Sequence, residues 1–268
     1  MMMTGMGRYD DETIGKFKRW QEKPILRRVY CYFYEKISDN LSKNNNGITV
    51  ELGSGFGGIK ETTPQCILTD VHSNQWVDKV EDAYSLSFED SSVSNLILFD
   101  VFHHLQYPGS ALKEFHRVLN QNGRVVIFEP CLSILGFLVY GLLHQEPLGM
   151  QKPIQWLAPS DTSLDKTGYY AAQANAAKIF LSGDFDKYLQ DWNIVKIMRY
   201  SAISYVASGG YSKPQFYPDW AYPVMRVVDR LCDFMPLLFA TRVLVVLEKR
   251  CSTQSNTVFT VATPVEPL

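Results

Sequence analysis

Ile48-Thr-Val-Glu-Leu-Gly-Ser-Gly-Phe-Gly-Gly58 passes from a β-branched run to a glycine cluster within a few residues. A strand feeding a tight turn is written this way. With no Cβ at Gly53, Gly55 and Gly57, the turn can take positive φ and a ligand can lie directly against the backbone. The N-terminus of the element that follows offers unpaired N–H groups. The spacing Gly53-x-Gly55-x-x-Gly58 also satisfies the dinucleotide fingerprint, which alone separates little. Glu51 argues for a different ligand: a carboxylate at the mouth of the strand repels a pyrophosphate and suits a ligand that carries an ammonium group.

Working outward, Cys66-Ile-Leu-Thr-Asp70 is a short apolar run ending in an acid, as expected for a second parallel strand of a βαβ unit. Asp70 stands 19 residues after Glu51, where a carboxylate at a strand tip can accept both ribose hydroxyls of an adenosine. That placement serves nicotinamide-binding and methyl-donor folds alike. Asn95-Leu-Ile-Leu-Phe-Asp100 reads as the fourth, central strand, and Val101-Phe-His-His-Leu105 leaves it toward a helix opened near Pro108. An amphipathic helix over Ala111–Leu119 stops at Asn120-Gln-Asn-Gly123, and Arg124–Pro130 forms a fifth strand. Asn193–Tyr200 and Thr241–Glu248 supply the sixth and seventh strands, with a helix predicted over Ala171–Phe180. Upstream, residues 13–41 read as helical with a break at Pro24; their aromatics Tyr30, Tyr32, Phe33 and Tyr34 either pack on the sheet or close over a ligand.

Four segments in order carry a family resemblance. Val50–Gly57 resembles the first motif of class I S-adenosylmethionine-dependent methyltransferases. Glu81-Asp-Ala-Tyr-Ser-Leu-Ser-Phe88 is similar to their D-A-x-x-L-P-F pattern, with Ser87 at the usual proline. Asp100-Val-Phe-His-His-Leu105 resembles D-V-L-H-H-L. The 119–123 turn resembles L-x-P-G-G, with Gln121 and Asn122 as departures; asparagine tolerates the left-handed φ such a turn needs. The resemblance implies an α/β, Rossmann-like, seven-stranded class I methyltransferase sheet with an N-terminal helical segment, its last strand antiparallel beside the fifth. It implies S-adenosyl-L-methionine as cofactor, held by Glu51, Gly53, Ser54, Gly55, Gly57, Asp70, Asp82, Ala83 and Asp100. In it Asp82 accepts from the adenine amino group, and Asp100 lies near the methionine end. As a lone aspartate, Asp82 also serves as a turn cap. His104, and after it His103, are the candidate catalytic bases for a hydroxyl acceptor. Neighbouring side chains on a regular element point apart, so the adjacent histidines predict no metal site.

The composition narrows the field. A chain of 268 residues, 46% hydrophobic and 20% charged, can bury one elaborated domain. We expect a single methyltransferase domain over residues 1–250, with the helical segment at 13–42, cap insertions near 131–170 and 201–240, and a mobile tail at 251–268. A net charge of −2 without basic runs argues against a nucleic-acid partner. Five scattered cysteines give neither a zinc pattern nor a disulfide framework, and the N-terminus lacks the order of a signal peptide, so the expected location is cytoplasmic.

The insertions bear on the acceptor. Cys131–His144 is nearly unbroken apolar sequence, but its 14 residues fall short of the ~20 a spanning helix needs. It is either a buried cap helix or one that meets a membrane or a lipid-bearing substrate. The second insertion carries Tyr205, Tyr211, Phe216, Tyr217, Trp220 and Tyr222, enough for a second pocket wall. His144-x-Glu146-Pro147 and Ser208-Gly-Gly-Tyr-Ser212 are similar to segments in methyltransferases of bacterial polysaccharide synthesis. A small-molecule or glycan acceptor, carried on a lipid in one version, follows from that resemblance, with O-methylation as the expected reaction. The alternatives are an NAD(P)-binding Rossmann oxidoreductase, which leaves the later motifs unexplained, and a cofactor-binding protein without turnover.

Overall fold

The computed structural model describes residues 5–43, 46–143, 146–159 and 169–250; the predicted mobile tail at 251–268 and His144 lie outside the described residues. Helices α1 (Gly5–Glu22) and α2 (Pro24–Ser38) come first, separated at Pro24, whose ring cannot donate the next helical hydrogen bond. Strands β1 (Ile48–Leu52), β2 (Ile67–Asp70), β3 (Lys79–Val80), β4 (Val93–Phe99), β5 (Leu119–Pro130), β6 (Trp192–Tyr200) and β7 (Arg242–Lys249) form one sheet in the order β3-β2-β1-β4-β5-β7-β6. β3 through β5 run parallel in the sheet, and β7 inserts antiparallel between β5 and β6. Strand order reverses direction between β1 and β4, so the loops leaving these two strands open the crevice where ligands settle in open α/β sheets.

Every residue of β4 is buried, as a central strand covered on both faces requires. On one face, Leu96, Leu98, Val125 and Ile127 pack against Ala111, Leu112 and Phe115 of α3 (Pro108–Val118). On the other, Ile97, Phe99, Val126 and Phe128 meet Val29, Phe33 and Ile37 of α2. The N-terminal aromatics therefore pack on the sheet. They reach the ligand crevice as well: Trp20 of α1 lies 5.3 Å from the ring of Phe56 in the glycine loop, and Phe17 lies 5.0 Å from Trp76.

Beyond β5 the chain forms α4 (Ile134–Leu138), which runs on as a wider turn through Val139–Leu143, and α5 (Asn175–Phe180). The second insertion supplies α6 (Ile203–Ser208), α7 (Tyr222–Cys232) and α8 (Pro236–Phe239). Two expectations shift here. The helix predicted from Ala171 begins only at Asn175, because Ala172 N–H donates to His103 O (3.0 Å), Gln173 N–H to Pro147 O (3.2 Å) and Ala174 N–H to Leu148 O (2.9 Å). These amides are committed to neighbouring loops instead of to a helical turn. The apolar run after Cys131 is helical and only half buried: Tyr140 is 3% exposed, whereas Ile134 is 62% and Leu142 71% exposed.

Candidate active site

The glycine loop takes the backbone its sequence calls for, with φ of +64°, +53° and +74° at Gly53, Gly55 and Gly57. The three glycines do different work. A Cβ on Gly53 would stand 2.6 Å from Val101 Cγ2, and one on Gly57 only 2.2 Å from Leu68 Cδ1, so both are needed for close packing. A Cβ on Gly55 would meet nothing within 4 Å. It points into open space, which is where a ligand could approach the chain. Ser54 is locked behind the loop, its N–H and its hydroxyl each donating to Thr69 O at 2.9 Å.

Two carboxylates border this opening. Asp70 Oδ2 accepts from Gly55 N–H at 3.3 Å, and Asp70 Oδ1 from His72 N–H at 3.3 Å. Glu51 is buried, and its Oε2 has no hydrogen-bond partner among the described residues. Burial first, and then the nearby Asp70 charge, push the Glu51 carboxyl well above its ordinary range. A buried acceptor left without a donor costs stability, and a cationic donor from a ligand would satisfy it. Glu51 and the open face of Gly55 together fit a ligand bearing an ammonium group.

The next turn adjoins Asp70 through the Glu81 N–H to Asp70 O bond (3.0 Å). Asp82 caps this turn, Oδ1 accepting from Tyr84 N–H at 2.9 Å, while Ala83 packs against the α3 side of the core. Ser87 earns its departure from proline. Its N–H donates to Glu81 Oε2 at 2.8 Å and its hydroxyl to Glu81 Oε1, and proline could make neither bond. Burial opposes the charge on Glu81, but the Ser87 bonds and Lys79 outweigh it and hold the carboxyl below its usual range.

Asp100 leaves β4 with left-handed φ of +55°. Its Oδ1 pairs with Nη1 of Arg242, a fully buried residue at the start of β7, whose guanidinium stacks 4.7 Å from the Tyr205 ring. Phe102–His104 then forms one tight turn beneath Glu129, at the end of β5. Glu129 Oε1 accepts from the N–H groups of Val101 (2.8 Å) and Phe102 (2.6 Å), and Oε2 pairs with His103 Nδ1 at 2.6 Å. His103 Nε2 meets Glu146 Oε2 at 3.2 Å, so this ring lies between two carboxylates. Burial works against its charge, yet Glu129 and then Glu146 raise its pKa to about 10.

His104 is held differently. Its Nδ1 lies 2.9 Å from the carbonyl oxygen of Tyr170, which can only accept, so the ring proton sits on Nδ1 and the Nε2 lone pair faces the site, 3.8 Å from Glu146 Oε1. Burial, and then the charged neighbour His103, lower its pKa below the ordinary range. Glu146 also accepts from the Tyr169 hydroxyl at 2.7 Å and from Gln173 Nε2. Burial disfavours its charge, but His103 and Tyr169 hold the carboxyl far below the usual range.

The chain thus gathers Glu51, Gly53, Ser54, Gly55, Gly57 and Asp70 around one loop, with Asp82 and Ala83 on the adjoining turn. Asp100, His103 and His104 follow the neighbouring strand. Sequence reasoning assigned no role to Glu129 or Arg242, although each is a charge at the end of an apolar run, and it quoted Glu146 only as part of a motif.

The family pattern described as a methyltransferase domain matches residues 60–127, from the end of the glycine loop into β5. A crystal structure of a SAM-dependent methyltransferase from Thermotoga maritima superposes with a TM-score of 0.53 at 13% identity, covering 91% of this chain and 100% of that one. A SAM-dependent methyltransferase from Archaeoglobus fulgidus gives 0.51 at 12% identity, covering 83% and 94%. No curated protein matches the sequence. The match over residues 60–127 supports an S-adenosylmethionine-dependent methyltransferase, and the strand order and the superpositions give the chain the class I methyltransferase fold.

Proposed function

We propose that the protein methylates a hydroxyl group of a small-molecule or glycan acceptor and that His104 takes the hydroxyl proton. One observation carries this reading: the Tyr170 carbonyl fixes the Nδ1–H form of His104, leaving a lone pair on Nε2, which lies 3.8 Å from Glu146 Oε1. Glu146 stands where it would stabilise the imidazolium that forms. His103, clamped between Glu129 and Glu146, braces the turn and is second choice as base. The cofactor supplies an electrophilic methyl group on its sulfonium. Around it, Glu51 receives the ammonium group, Asp70 the ribose hydroxyls, Asp82 and the backbone at Ala83 the adenine edge, and Asp100 borders the methionine end. What the protein adds is alignment, a dry site and a place for the proton.

Within the class of hydroxyl acceptors we favour a sugar hydroxyl carried on a lipid. The support is the exposed apolar surface of α4, where Leu132, Ile134, Phe137, Leu138, Met150 and Leu237 line a groove of about 390 Å³. The insertions at 131–170 and 201–240 then act as caps of a single domain over residues 1–250. Methyl-tritiated S-adenosylmethionine with a lipid-linked glycan fraction tests the reading. Wild type transfers label, and His104→Gln loses on the order of 10²–10⁴ in kcat at unchanged S-adenosylhomocysteine affinity. A His104→Gln protein that keeps near-wild-type kcat removes the base from that residue, and label found only on nitrogen removes O-methylation.

A further inference from the structure

We propose that His103, His104 and Glu146 form a binding site for a divalent metal ion of the zinc class. One ligating atom from each, a ring nitrogen of each histidine and a carboxylate oxygen of Glu146, lies within 4.8 Å of the others. Metal–ligand bonds of ~2.0–2.2 Å in a tetrahedral site set ligand atoms about 3.4 Å apart. The two contacts with Glu146, 3.2 Å from His103 Nε2 to Oε2 and 3.8 Å from His104 Nε2 to Oε1, are close to that spacing, one to each oxygen of the carboxylate.

A second, independent feature is the way both rings are tied from behind. Metal-binding histidines hand their other ring nitrogen to a carboxylate or carbonyl oxygen, which fixes the tautomer and the ring direction. Here His103 Nδ1 is held by Glu129 at 2.6 Å and His104 Nδ1 by the Tyr170 carbonyl at 2.9 Å. Glu129 is itself fixed by two backbone amides. Adjacent histidines would diverge on a regular helix or strand, but residues 102–104 form a single tight turn, and the rings stand 4.1 Å apart, inclined by 40°. The expectation of no metal site rested on regular geometry that this turn does not have.

The donor set selects the ion. Two imidazoles and one carboxylate suit zinc, nickel or iron(II), whereas magnesium and calcium want oxygen. Tyr169 and Gln173 can keep their bonds to Glu146 as it ligates, because a carboxylate offers about four lone-pair positions. Binding displaces the hydrogen that joins His103 Nε2 to Glu146. His104 and Glu146 are partly exposed, so water or a small ligand can complete the coordination. The inference does not depend on the methyl-transfer reading. An ion on His104 Nε2 takes the lone pair assigned to the acceptor proton, so the metal-bound form is a resting form.

Calorimetry with Zn²⁺ on the purified full chain, without cofactor or acceptor, tests it. Co²⁺ serves as an optical probe and Mg²⁺ as the control. The expected result is one Zn²⁺ per chain, the visible absorption of four-coordinate cobalt, and no saturable Mg²⁺ binding. Glu146→Gln and His104→Gln should each weaken Zn²⁺ at least tenfold, and Glu129→Gln, which loosens His103 without removing a ligand, by about 10–100-fold. Circular dichroism identifies any variant that fails to fold, and the remaining ones then decide. Absence of saturable Zn²⁺ binding by the wild type overturns the proposal, as does binding that the folded variants leave unchanged.

Discussion

Arg242, fully buried on β7, is paired with Asp100, which sits in left-handed backbone at the tip of β4 and is about one-third exposed. The two halves of this pair are not equivalent. Removing Asp100 leaves a guanidinium stranded in the core, where an uncompensated buried charge costs about 3–5 kcal/mol. Removing Arg242 leaves a carboxylate that water can still reach. Urea denaturation of the cofactor-free protein should therefore find Asp100→Asn more destabilised than Arg242→Met, and the double variant closer to wild type than Asp100→Asn alone. Equal losses in the two single variants would mean that the pair is not the organising contact.

The glycine loop predicts a division between folding and binding. Gly57→Ala puts a Cβ 2.2 Å from Leu68 Cδ1 at a φ of +74°, so it should lower stability by at least the ~1–2 kcal/mol that left-handed backbone costs an ordinary residue. Gly55→Val carries at least that backbone cost, but its Cβ meets no protein atom within 4 Å. It should fold, with a modestly lowered melting temperature, and lose S-adenosylhomocysteine binding by calorimetry. Unchanged affinity in a folded Gly55→Val protein would falsify the placement of the cofactor against this loop.

The contrast shows which parts of the molecule could be read from the sequence. Strands and the glycine loop could be, because continuous apolar, β-branched runs and the absence of Cβ leave local marks. Asn122 could be too: it takes a φ of +60° in the turn whose left-handed backbone its side chain tolerates. The partnerships could not. Asp100 and Arg242 are 142 residues apart, and His103 and Glu146 are 43 apart, so only the folded sheet and the loops over it bring these charges together. The directions of the adjacent histidines were hidden for a related reason, since they depend on a three-residue turn whose amides Glu129 holds from another strand.

Glu51 couples pH to stability. Its folded pKa lies well above the unfolded ~4.3, so the native state keeps a proton that the unfolded chain releases. Stability contributed by this group is present below the unfolded pKa and is lost as pH rises through the folded one. Glu51→Gln removes the titration. The cofactor-free variant should melt higher than wild type near neutral pH, with the gap closing toward about pH 4. It should also bind S-adenosylhomocysteine more weakly, because the ammonium group loses its charged partner. Thermal melts from about pH 4 to 8, with and without the ligand, read both effects. Parallel pH curves for the two proteins would show that Glu51 is not the titrating group.

The exposed face of α4 yields a prediction about surfaces. Ile134, Phe137, Leu138 and Leu142 present apolar side chains to solvent, next to Leu237 and Leu238 of α8. Contiguous apolar surface of this kind marks a place where something else binds. Among the described residues no helix is long and apolar enough to cross a bilayer. An apolar helix face of this kind can lie in the plane of a lipid interface. Leu138 is 46% exposed, and Leu138→Glu should change stability by no more than about 0.5 kcal/mol, as surface substitutions usually do. The same change puts a charge where the helix would enter the lipid, and binding should fall accordingly. In flotation with phosphatidylethanolamine–phosphatidylglycerol vesicles, wild type should rise with the lipid, and Leu138→Glu should remain in the dense fraction with an unaltered melting temperature. If wild type stays at the bottom, the face does not meet lipid; if both proteins float alike, another surface makes the contact.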